Sequence, residues 1–163
     1  MADRVASLNI ISPDVEGLLL GAMARCAVSH RASSLDDLRA VLEGRLDVPA
    51  SPVTLDLIGH STRDHHLLRL GDTPIDMLDR RVARFFQSLT SDQLLQRLEV
   101  VAVRLLGCET AISTGGRRTL RLLASTLRMP VFGATKPLGK SHYDELGFNP
   151  AFAHVLVEAT ELV

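Results

Sequence analysis

Residues 100–107 read VVAVRLLG, an almost unbroken apolar run around the single charge of Arg104. Its β-branched residues favour extended backbone. A short run apolar on both alternating sets of positions suits a strand covered on both faces, as in a parallel sheet. Parallel neighbours cannot be joined by a tight turn; each needs a crossover, usually a helix. The remainder of the chain is therefore read for alternating strands and helices.

Val5–Ile11 is a first strand, closed at Ser12-Pro13. Asp14 is placed to cap a helix running to about Val28, with Gly17 and Gly21 marking close packing or a weak point. Ser33 or Ser34 caps the next helix, SSLDDLRAVLEGRL. Its Asp36 and Asp37 lie in the first turn, and Leu35, Leu38, Val41, Leu42 and Leu46 recur at helical spacing. VTLDLIG is a short strand, and HLLRLGDTPI fits a small hairpin. Met77–Leu89 has helical spacing and Ser91–Leu98 another turn or two. Gly115-Gly116 precede the helix RRTLRLLASTLR, PVFGAT is a strand, the tail from Lys136 is rich in loop residues, and AHVLVEA at 153–159 is a last strand. The alternation predicts one α/β domain over residues 1–163, a three-layer α/β/α sandwich with a mostly parallel central sheet. Val53–Ile58, Val100–Leu106 and Val131–Gly133 are its expected parallel strands, with VTLDLIG directly beside VVAVRLLG.

Composition narrows the function. Of 163 residues, 46% are hydrophobic and 23% charged, a globular balance. Lys+Arg number 18 against Asp+Glu 19, so the chain lacks the basic field of a nucleic-acid binder. Arg80-Arg81 and Arg117-Arg118 read as solvated helix faces. Cys26 and Cys108 are far apart and suggest neither a disulfide framework nor a zinc site. MADRVASLNI lacks the pattern of a secretory signal. The apolar run Val15–Val28 is broken by Glu16 and Arg25 and is too short for a bilayer span. A cytoplasmic protein with free thiols and no membrane partner is expected.

In doubly wound sheets ligands bind beyond the carboxyl ends of the strands. Two strands here end in reactive side chains: VTLDLIG leads to His60, and VVAVRLLG to Cys108. Gly59-His60-Ser61 admits two readings. A serine nucleophile elbow needs the pattern Gly-x-Ser-x-Gly and a following helix. Arg63 occupies the last position, and DHHLLRLGD reads as loop and hairpin. Asp144 and His154 complete a triad only on paper. Alternatively, His60 activates the thiolate of Cys108 and protonates the leaving group. On neighbouring strands the two side chains would meet, and backbone N–H groups of Ser61 and Cys108 would stabilise an oxyanion.

Each residue alone also fits a structural role, His60 as a hydrogen-bonded support and Cys108 as a small core residue; Cys26 reads as core. If their segment is extended, His65 and His66 would point to opposite faces and could not easily ligate one ion, so with Asp64 they read as a solvated loop and not as a metal site. Gly115-Gly116 lacks the lysine-serine ending of a phosphate loop and reads as a helix entry. Phe85-Phe86 read as core, with one of the two free to face outward.

The segments LIGHS and LLRLGD, then VRLLGCETA, a glycine-containing turn, a helix and PVFGAT, resemble the caspase-hemoglobinase superfamily. This group includes caspases, gingipains, clostripain, separase and bacterial CHAT-domain peptidases. The resemblance covers roughly residues 52–135. It implies a caspase-like fold, a catalytic histidine at His60, a nucleophile at Cys108, a peptide or protein substrate, and no cofactor. The family usually carries glycine directly after its histidine, where this chain has Ser61, which keeps the N–H and adds a hydroxyl. Two further readings stand beside the peptidase: a catalytically inactive binding or scaffold module of the same fold, and a serine esterase using Ser61.

Overall fold

In the computed structural model residues 4–15 and 29–162 are described. Six strands form the central sheet: β1 (Ala6–Ile11), β2 (Ser29–Arg31), β3 (Val53–Ile58), β6 (Val100–Leu106), β7 (Val131–Ala134) and β10 (Leu156–Glu158). Between them lie two small antiparallel pairs, β4 (Arg69–Leu70) with β5 (Thr73–Pro74), and β8 (Tyr143–Asp144) with β9 (Gly147–Phe148). Across the sheet the order is β10-β7-β6-β3-β1-β2, and only β10 runs antiparallel to its neighbour. Counting parallel strands alone, the order is that of a doubly wound sheet that reverses between β1 and β3. VTLDLIG and VVAVRLLG are direct neighbours.

Four α-helices are described: α1 (Leu35–Gly44), α2 (Arg80–Ser91), α3 (Leu94–Arg97) and α4 (Thr114–Leu127). Side chains of Ser34, Asp79 and Ser113 accept first-turn N–H groups of α1, α2 and α4, each cap worth about 1 kcal/mol. Leu38 and Leu42, then Val82, Phe86 and Leu89, then Leu120, Leu123 and Leu127 form buried stripes. All three stripes pack with Leu8, Ile10, Leu55, Leu57, Val103 and Leu105 in the larger core cluster. The opposite face carries a second cluster, in which Ile11, Ile58 and Leu106 meet Val15, Tyr143, Phe148 and Val155. Segments of 3₁₀ helix and the β8–β9 pair cover this face, giving the three-layer arrangement.

Several boundaries differ from expectation. Asp79 caps α2, so that helix starts three residues later than Met77. Gly115 and Gly116 lie inside α4, because Ser113 caps it ahead of them. In AHVLVEA only Leu156–Glu158 is strand, since Pro150–Val155 winds as 3₁₀ helix behind the Asn149 cap. The helix expected from Asp14 to Val28, and Cys26 within it, fall outside the described residues beyond a 3₁₀ turn at Pro13–Val15. Phe86 is buried, and Phe85 meets it edge-on at 5.1 Å. No helix among the described residues is long and apolar enough to cross a membrane.

Candidate active site

The last paired residues of β3 and β6 are Ile58 and Leu106. His60 and Cys108 each lie two residues beyond that rung, so the parallel register delivers both to the same level of the carboxyl edge. Neighbouring strands run about 4.8 Å apart. The chain leaves the edge tightly: Gly59 N–H donates to Leu106 O at 3.4 Å, and a Cβ at Gly59 would come 2.2 Å from Arg69 O. Glycine is therefore required immediately before His60.

His60 and Cys108 line one cleft with Gly59, Leu138, Lys140 and Tyr143. Its volume is about 40 Å³, room for one small group. The imidazole of His60 has no hydrogen-bond or ion-pair partner among the described residues, the sulfur of Cys108 included. Cys108 is half-buried, and its sulfur accepts the N–H of Leu138 at 3.3 Å. The thiol in turn donates to Leu138 O at 3.7 Å. Tyr143, buried on the cleft floor, has its phenol pushed up by burial, with Asp56 and Cys108 adding to the effect, so it stays neutral.

Ser61 pairs with Leu68 in an isolated antiparallel bridge, flanked by Arg69 N–H to His60 O at 2.9 Å and Thr62 N–H to Leu67 O at 2.8 Å. In this pattern the N–H of Ser61 points away from the partner segment. Neither it nor the N–H of Cys108 donates to any described residue. Both remain available to an oxyanion. The hydroxyl of Ser61, by contrast, donates to Cys108 O at 2.8 Å. The next regular elements after Ser61 are the strands β4 and β5 and no helix, so the backbone geometry of a serine elbow is absent.

Other sequence candidates lie apart from the cleft lining. The carbonyl of His65 accepts the hydroxyl of Ser113, and its ring lies 3.7 Å from exposed Asp64. Among the described residues no three His, Cys, Asp or Glu side chains gather as a metal site. A Cβ at Gly116 would come 2.2 Å from Thr110 O, so close packing on the Cys108 turn explains that glycine. Asp144 is bound to Arg4 at 2.7 Å, the arginine holding its carboxyl below the usual range. Leu138, Lys140 and Tyr143 were not legible as site residues: they come from the loop-rich tail, and the contact of Leu138 uses a backbone N–H that every non-proline residue has.

A larger groove of about 590 Å³ lies near Met129, Pro130 and Glu158, at the amino end of β7. Its size exceeds that of the cleft, but His60 and Cys108 lie at the carboxyl edge, where such sheets bind ligands. No protein-family model matches this chain, and a search of curated proteins found no match either.

Proposed function

We propose that the chain is a cysteine peptidase-like domain of the caspase-hemoglobinase type, cleaving peptide bonds through Cys108 and His60. The observation that carries this reading is the shared register: both residues stand two positions beyond the Ile58–Leu106 rung and line one cleft. Cys108 attacks the carbonyl carbon, the N–H groups of Ser61 and Cys108 stabilise the oxyanion, and His60 protonates the departing amine. Water then releases the acyl group from sulfur. A peptide or protein is the substrate, no cofactor takes part, and a reducing, cytoplasmic setting keeps the thiol free.

The test is hydrolysis of a positional-scanning fluorogenic peptide library by wild type, Cys108→Ala and His60→Ala. Cleavage by wild type, lost in both variants, supports the peptidase. The narrowness of the cleft and the Leu138 backbone seated on the sulfur favour a second reading, a binding module that keeps the pair without using it. A folded wild type that cleaves nothing, with an unreactive thiol, supports that reading instead.

A further inference from the structure

We infer that the hydroxyl of Ser61 positions Cys108, locking the peptide plane behind the nucleophile to the loop that carries His60. This rests on Cys108 being the nucleophile. The geometry is built from both sides. Ser61 Oγ donates to Cys108 O at 2.8 Å, and it occupies the space beside Gly107, where an added Cβ would come 2.7 Å from it. Gly107 thus makes room for the hydroxyl, and the hydroxyl fills the room. The residue after the nucleophile, Glu109, takes left-handed backbone with φ 57°, costly for a non-glycine residue. That turn holds its shape through outside bonds: Glu109 N–H to Lys136 O at 3.2 Å, Ala111 N–H to Ala134 O at 2.9 Å, and Thr110 Oγ1, which donates to Leu105 O and accepts from Ala134 N. These bonds anchor the turn to β6 and to β7 and the residues just beyond it. Among the described residues the Ser61 hydroxyl supplies the one side-chain hydrogen bond between residues 107–111 and the histidine loop.

A clamp between the two loops sets how the sulfur stands towards His60 and the Leu138 N–H. A side chain outside the reacting atoms that governs their placement affects the chemical step more than binding. The test compares wild type, Ser61→Ala and Ser61→Gly, with Cys108→Ala as control. Two measurements are made: the rate of Cys108 alkylation by iodoacetamide at neutral pH, and kcat and KM on any library peptide the wild type cleaves. Both variants keep the backbone N–H and lose the hydroxyl. The expected result is alkylation slowed at least about threefold and kcat lowered roughly tenfold with KM little changed, the far-ultraviolet circular dichroism remaining that of wild type. Alkylation at the wild-type rate in both variants overturns the positioning role. Slowed alkylation in a protein that cleaves no peptide upholds the positioning role and removes the peptidase reading, so the two ideas fail separately.

Discussion

Asp56 on β3 and Arg104 on β6 stand in register and join through two hydrogen bonds, Nε to Oδ1 at 2.7 Å and Nη2 to Oδ2 at 2.6 Å. Asp56 is fully buried; Arg104 also donates to Ser7 Oγ at 3.2 Å and lies 5.4 Å from the Phe148 ring centroid. Burial pushes the Asp56 carboxyl above its usual range, and the two Arg104 bonds offset part of that rise. The pair explains why an otherwise apolar strand carries an arginine near its centre. It joins the two strands that bear His60 and Cys108.

Removing one member leaves the other buried without a counter-charge, which costs about 3–5 kcal/mol, whereas replacing both with apolar residues of similar volume is often neutral. Asp56→Ala is therefore expected to lose about that much in urea unfolding, and Asp56→Leu combined with Arg104→Met to recover most of it. A single-variant loss below about 1 kcal/mol, the range of exposed pairs, would show that water reaches this site.

The sheet was legible in the sequence because its central strands are apolar runs bounded by turn residues. The edge strand Ser29–Arg31 was not, being three polar-leaning residues whose extended form comes from pairing with β1. Tyr143 and Phe148 were read as tail because they follow no period, and Val155 as strand; they enter the second core cluster through two-residue strands and a 3₁₀ segment. At the site, His60 and Cys108 were legible as strand-end residues. The bond of the Ser61 hydroxyl to the Cys108 turn was not legible, since its acceptor, Cys108 O, is a main-chain atom 47 residues away in sequence.

His30, next to Ile10 on β1, has its imidazole lowered from the ordinary range, first by burial and then by Arg45. The unfolded chain then binds a proton in a window below about 6.5 that the folded chain refuses. Stability from this group is complete above that value and is lost as pH falls through the window. His30→Gln is expected to narrow the drop in melting temperature between pH 8 and pH 5. An unchanged drop would show that His30 titrates normally in the fold.

Gly116 opens a sharper contest of effects. Inside a helix, Gly→Ala usually gains up to about 1 kcal/mol. Here the added Cβ would meet Thr110 O at 2.2 Å, a main-chain atom of the Cys108 turn. Overpacking of this kind costs about 1–3 kcal/mol, so Gly116→Ala should destabilise and should also lower peptide hydrolysis. A stabilised, fully active variant would mean that the turn yields easily and that its rigidity is not needed.

The last prediction separates the histidine-cysteine pair from the serine. If Cys108 and His60 act as one unit, each alanine substitution should bring hydrolysis to background, and the double variant should be hardly worse than either alone, because groups that work together are not additive. Ser61→Ala should retain part of the activity, since on the proposed mechanism the backbone N–H that would stabilise the oxyanion survives and only the bond to Cys108 O is lost. Initial rates on one fluorogenic peptide, measured side by side for the four variants, decide the matter. An inactive Ser61→Ala beside an active Cys108→Ala would transfer the nucleophile to Ser61, against the hydrogen bond its hydroxyl makes and the absence of a helix after it.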